Sequence, residues 1–218
     1  MIYGGILRLV LRGVFLMLTL AGSVPTAIDA FTGVQARAEI IRIDAEPRKA
    51  GPLYVRVGNE EKRIADAAVR AWPIEDGRYV VYSGMDGAGG YENEGQSLRF
   101  YETATGSTMK VLSEYYTVDR VTGVRTTAYK LALIVEMRDN GLGASHLAVV
   151  DPLRGETFFK AKVKLIERIS DRIRLGHFKD KDWAQSNSGA NIVPYKTEYF
   201  DLNKLLKKSV INNKKKPR

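Results

Sequence analysis

The residues that could do covalent chemistry are few. The 218-residue chain has no cysteine and only two histidines, His146 and His177. That excludes disulfides, thiolate metal sites, iron–sulfur ligation and a cysteine nucleophile. It also leaves too few imidazoles for a metal site built from histidine alone. Ser145 and His146 are neighbours in a strand-like run. Successive strand side chains point to opposite faces, so the two do not form a nucleophile–base pair. No G-x-S-x-G, Walker-type phosphate loop or H-E-x-x-H occurs. The glycine-rich stretch from Gly84 to Gly90 lacks the Lys-Ser/Thr ending of a phosphate loop and leads into a strand. The 25 acidic residues contain no motif that selects a pair for glycoside hydrolysis. Both histidines read as half-buried strand residues.

What remains is a set of oxygen ligands and aromatics on loops. Asp86, Tyr91 and Glu92 lie in the loop Gly84–Gly95, together with Asn93 and Glu94. Asp139 and Asn140 open a hairpin turn, Asp139-Asn140-Gly141. Asp180, Asp182, Trp183 and Asn187 lie in a third loop. Carboxylates in a glycine-rich loop could hold Ca²⁺, but their spacing matches neither an EF-hand nor a nonapeptide repeat, so no cofactor is required. The alternative use is recognition. Asp86, Tyr91, Glu92, Asp139, Asn140 and Trp183 are the candidate binding residues if the three loops share one rim, with Tyr91 and Trp183 as exposed aromatic contacts.

The elements that would position those loops are strands. Runs of two apolar residues, an acid and a turn recur with a spacing of about fifty residues, at Phe100–Gly106, Val149–Gly155 and Tyr199–Lys204. Each follows a strand-like run: Tyr79–Met85, Leu131–Met137 and Arg172–Phe178. In the first copy, Ala67–Trp72, Arg78–Ser83, Ser97–Glu102 and Thr108–Leu112 read as four strands. Glu75-Asp76-Gly77 is a tight turn between the first two. In the second, the uninterrupted apolar run Leu131–Val135 reads as a strand buried on both faces, followed by a strand at His146–Val150. Phe159, Ala161, Val163 and Leu165 alternate with Lys160, Lys162 and Lys164, which predicts one strand with an apolar inner face and a wet lysine face. Upstream, Leu53, Val55 and Val57 alternate with Tyr54 and Arg56, a further candidate strand.

The sequence Trp72-Pro73-Ile74-Glu75-Asp76-Gly77, with its following strands and the turn at Thr105-Gly106, resembles one repeat of the TolB-type, WD40-like β-propeller family. The resemblance covers residues 65–112 well, 125–165 in part and 170–206 weakly. The second copy lacks the Trp-x-Pro-Asp-Gly turn, and the third has a long loop at 179–194. The resemblance implies an all-β fold, a partial or open β-propeller-like array of antiparallel four-stranded sheets. Three repeats are too few for the 4–8 blades of a typical closed propeller. The array is thus open, or a second copy or another partner completes it.

The ends carry different signals. Of the formal charge of +9, seven units fall in 204–218 and one in 1–30, which leaves +1 for residues 31–203. The folded body therefore gives no electrostatic support for nucleic-acid binding. Arg8 and Arg12, the apolar run Val14–Ala21 and Pro25 form an export-signal pattern, with cleavage after Ala30 or after Ala38. The uncharged run from Gly13 to Ile28 is 16 residues, short of the roughly 18–20 that span a bilayer. An uncleaved anchor through residues 6–28 is the rival reading. The organisation is a signal over 1–30, a lead-in over 31–64, a repeat domain over 65–206 and a basic tail over 207–218. These readings describe an exported, periplasmic or secreted, bacterial protein without catalytic machinery. It would bind an envelope protein or glycan through one rim of loops. The alternative is an extracytoplasmic hydrolase of polysaccharides or phosphoesters that uses rim carboxylates.

Overall fold

The structure is a computed structural model that describes residues 36–46, 49–85, 96–114, 116–128, 130–139, 143–183 and 192–206. The signal and tail assignments lie outside them. The chain folds as antiparallel sheets with hairpin-connected neighbours. The first sheet runs β1 (Ala38–Ile43), β2 (Gly51–Val57), β3 (Glu60–Ile74), β4 (Tyr79–Gly84), β5 (Gln96–Glu102) and β6 (Ser107–Glu114) in chain order. The second contains β7 (Tyr116–Arg125), β8 (Leu131–Asp139), β9 (Ser145–Asp151) and β10 (Glu156–Ala161), and the third β11 (Val163–Ile169), β12 (Arg172–His177) and β13 (Lys196–Asp201). A 3-10 turn, Asp180–Asp182, follows β12, and a short helix spans 202–206. No strand pairing joins the first sheet to the third among the described residues. The described residues form an all-β array of three antiparallel sheets with no strand pairing between them.

The six-stranded sheet contains the expected four-stranded unit. β3 is 15 residues long. It pairs with β2 from Glu60 to Ala68 and with β4 from Ala68 to Ile74, with a bulge at Ala68/Arg70 where it changes partner. A bulge bends a strand and raises its twist, so β1–β2 with the first half of β3 forms one leaf, and the second half of β3 with β4–β6 the other.

Two-residue periodicity decides the stacking. Along β8, Leu131, Leu133, Val135 and Met137 face the first sheet, in a core with Tyr79, Val81, Leu98 and Phe100. Ala132 and Ile134 point the opposite way, into a core with Val163, Ile173, Leu175, Leu202 and Leu206. β8 is buried on both faces, as its unbroken apolar run predicts. A third core packs Leu53 and Val55 of β2 against Val80, Tyr82 and Tyr101.

The lysine alternation breaks where a single strand was expected. Lys162 adopts φ 54 and separates β10 from β11, which belong to different sheets. Val163 and Leu165 point inward while Lys164 is exposed, as the alternation predicts. In β10 the phase is reversed: Phe159 is exposed, and Lys160 turns inward to pair with Glu198. The positive φ resets which face each residue occupies.

The Glu75-Asp76-Gly77 turn holds the first sheet's end together. Glu75 and Asp76 take positive φ, at 50° and 54°, and Gly77 takes 83°. The Gly77 carbonyl accepts from Ala38 N at 2.7 Å and from Thr103 Oγ1 at 2.8 Å. A Cβ on Gly77 would collide with the Ala38 carbonyl oxygen, whereas at Gly106 (φ +71) it would meet nothing. Gly77→Ala should therefore cost about 2 kcal/mol or more in urea unfolding, and Gly106→Ala about 1 kcal/mol. Equal costs would contradict the close-packing role of Gly77.

Candidate functional site

A cleft of about 470 Å³ opens beside the β8–β9 hairpin, between the β7–β9 face and β11. Its floor is set by strand register. Arg120 stands opposite Glu136, and Glu136 opposite Leu147; one row on, Thr117 stands opposite Arg138, and Arg138 opposite Ser145. Val163, Lys164 and Leu165 form the other wall.

Two of the charged groups are occupied structurally. Asp119 sits at the β7 bulge between Val118 and Arg120. It takes a bidentate pair from Arg138, Nε to Oδ2 at 2.6 Å and Nη2 to Oδ1 at 2.7 Å, and lies 3.7 Å from Arg70 on β3. Such forked pairs fix orientation as well as charge. Glu136 differs. Its half-buried carboxylate accepts no hydrogen bond among the described residues. Burial pushes its pKa above the usual carboxylate range; Arg120 and Lys164 oppose that rise and Asp119 adds to it. The cleft therefore presents an acid poised between two cations, with none of the three locked to another.

Two clamps hold the β11 wall in place. At the β11–β12 turn, Ser170 takes φ 52. Asp171, next in sequence, accepts from Thr127 N at 2.9 Å, from the Thr127 hydroxyl and from Asn203 Nδ2 at 2.7 Å; its own carbonyl accepts from Leu202 N at 2.7 Å. These bonds hold its carboxyl below the ordinary range, the Thr127 side chain contributing most. Farther along, Glu198 of β13 pairs with Lys160 of β10 and with Lys196 at 2.6 Å, and its Oε1 lies 3.3 Å from His177 Nε2.

The site residues proposed from sequence are divided by the structure. Asp86, Tyr91, Glu92 and Asn140 lie outside the described residues. Asp139 ends β8, with its carboxylate 3.4 Å from His146 Nε2. Trp183 corrects the expectation of an exposed aromatic: it is 2% exposed and packs on Phe178, at 5.1 Å between ring centroids, with Ala144 and Ile192. So large an apolar ring gains more by covering the β8–β9 hairpin than by standing in water. His146 and Ser145 do face opposite ways, opposite Met137 and Arg138 respectively. No group of three or more His, Asp or Glu residues that could hold a metal occurs among the described residues.

The cleft residues Arg120, Glu136 and Lys164 were absent from the sequence-derived set. One signal was present: Glu136 interrupts the apolar run Leu131–Met137. A carboxylate within a buried apolar run is rare unless it is paired.

No family model and no curated protein matches this chain. Among solved structures it is similar to the β-propeller domain of the Trilobed protease from Pyrococcus furiosus, described as having an open velcro topology. The identity is 13%, the TM-score 0.43, and the match covers 75% of this chain and 53% of that one. This chain thus matches about half the length of that structure.

Glu198 generates a pH prediction. Its side-chain bond to Lys160, then that to Lys196, lowers its pKa from 4.5 to about 2. A depressed folded-state pKa gives stability that is present above the unfolded value and lost as pH falls from about 4.5 toward about 2. The urea midpoint should fall across that window, and Glu198→Gln should flatten the fall. An unchanged slope in the variant would remove Glu198 from the account.

Proposed function

We propose that this chain is an exported, non-catalytic binding or scaffold module of the bacterial cell envelope, of the TolB-type repeat kind. It would meet an envelope protein or glycan at the cleft and at the hairpin rim beside it. The observation that carries the reading is the open charge set of Glu136, Arg120 and Lys164. Groups that serve only the fold tend to be paired, as Asp119 and Arg138 are, whereas a recognition site keeps convergent polar groups available. The neutral body charge and the export pattern support an envelope partner over nucleic acid.

A hydrolase is the second reading, because a carboxyl with a raised pKa is what a general acid needs. Against it, Asp119, the neighbouring carboxylate, is taken up by Arg138. Ser145 and His146 point to opposite faces.

A photo-crosslinking residue in place of Ser145, introduced in cells, tests the binding reading. It should yield one discrete adduct in the envelope fraction, and Arg120→Glu with Lys164→Glu should abolish that adduct. Turnover of polysaccharide or phosphoester substrates that Glu136→Gln eliminates would establish the hydrolase instead. A fusion of residues 1–38 to a reporter active only outside the cytoplasm should be active; an inactive reporter would refute export.

A further inference from the structure

The third sheet is one strand short of the second: β11, β12 and β13 stand against the four strands β7–β10. β13 is an edge, paired with β12 on one side and with no strand on the other among the described residues. The hydrogen-bond phase along β13 follows from one bond. Leu202 N donates to the Asp171 carbonyl at 2.7 Å, and bonded pairs in an antiparallel ladder recur at every second residue. Phe200 with Ile173 and Glu198 with Leu175 are therefore bonded pairs. Thr197, Tyr199 and Asp201, opposite Gly176, Arg174 and Arg172, turn their amides away from β12. This edge is bounded at both ends. β13 begins at Lys196. Asp201 caps the helix 202–206, its Oδ1 accepting from Lys204 N at 3.1 Å, so the chain leaves the strand there. Tyr199, 63% exposed, is the midpoint of the outward set 197, 199 and 201. The far end of the array is tied off instead. Ala38 N of β1 donates to the Gly77 carbonyl, and Arg42 pairs with Glu61 at 2.7 Å and Arg56 with Glu39 at 3.2 Å. Charged side chains of this kind keep native edges from pairing. In the middle of β13 the one charge, Glu198, is engaged by Lys160 of the neighbouring sheet.

We propose that the β13 edge pairs antiparallel with the β13 edge of a second copy of this chain, about a two-fold axis at Tyr199. Three arguments select that occupant. An antiparallel edge centred on one of its own outward residues is its own complement. Tyr199 of each copy would exchange both amide bonds with Tyr199 of the other, and Thr197 would stand opposite Asp201, hydroxyl beside carboxylate. The bounds of the edge then fix the register. An axis at Glu198 would set two carboxylates directly opposite each other, and an axis at Phe200 would pair Thr197 with Asn203, which lies in the helix. The charge of the body also permits a copy to approach. Arg172 stands opposite Asp201, Arg174 reaches Glu167 at 3.4 Å, and residues 31–203 sum to +1; a body so near neutrality does not repel itself. The seven positive charges of 204–218 oppose the approach, so added salt should tighten the pairing. So short an edge buries less than the roughly 800 Å² per partner of a stable dimer, which makes the association concentration-dependent.

The test exploits the absence of cysteine. In the full chain, Tyr199→Cys should give a disulfide-linked dimer on mild oxidation. Residues of a bonded antiparallel pair lie about 5.5 Å apart between Cα atoms, within disulfide reach. Thr197→Cys, on the same edge and face, should not, because its counterpart is displaced by four residues, roughly 13 Å. In sedimentation equilibrium the native chain should shift from one copy to two as concentration rises, and further at high salt. Tyr199→Pro removes an outward amide that β12 does not use, so it should stay monomeric at an unchanged urea midpoint. Amide exchange reads the same phase without any variant: Thr197 and Tyr199 should gain protection with concentration, while Glu198 and Phe200 are protected throughout. Equal crosslinking at 197 and 199, a monomer at every concentration, a dimer lost at high salt, or one that Tyr199→Pro leaves intact would overturn the proposal. So would Thr197 and Tyr199 amides already protected in the monomer, the sign of an edge filled by a segment of the same chain.

Discussion

The structure depends on burying β8 on both faces. Leu131, Leu133 and Val135 on one side and Ala132 and Ile134 on the other each have to be removed from water, and no single neighbouring sheet can cover both sets. A stack of sheets follows from that constraint. The first sheet supplies Tyr79, Val81 and Phe100, the third supplies Val163, Ile173 and Leu175, and the middle sheet becomes interior. Polar contacts between sheets then refine the geometry rather than create it. Arg125 forks onto Glu75 at 2.7 and 2.6 Å, linking the second sheet to the first, and Asp171 and Glu198 link it to the third.

A stack without closure has two end faces, and their treatment ties fold to function. The first end spends its charges on itself. The last presents Ile169 and Tyr199 beside Arg174, which pairs with Glu167. The cleft beside β8 arises from the same geometry. Where β11 runs past β9, Glu136, Arg120 and Lys164 line a cleft at the margin of the shared core of Val163, Leu147 and Val149. Candidate binding surfaces therefore fall where the stacking rule is incompletely satisfied.

Much of this was legible in the sequence. An apolar run as dense as Leu131–Val135 has one physical solution in an all-β chain. Glu75-Asp76-Gly77 demands a left-handed turn. Leu53 and Val55 announce β2 by alternation. The failures have specific causes. β7 was missed because the Asp119 bulge shifts its period and because Gly123 has no side chain to mark a buried position; a Cβ there would run into Ile74. The lysine stripe looked continuous because sequence does not display the positive φ of Lys162. Trp183 looked like a rim aromatic because its cover, Phe178 and Ala144, comes partly from another hairpin. Glu136 was visible as an acid in an apolar run, but the cations around it come from β7 and β11 and converge only in three dimensions.

The measurement that bears most directly on the two-faced burial of β8 is equilibrium unfolding of Leu133→Ala and Ile134→Ala, two adjacent residues that point into different cores. The account predicts a single cooperative transition in both variants. Each should lose about 2–5 kcal/mol at an unchanged denaturant slope. A near-neutral effect at either position, or separation into two transitions, would contradict it.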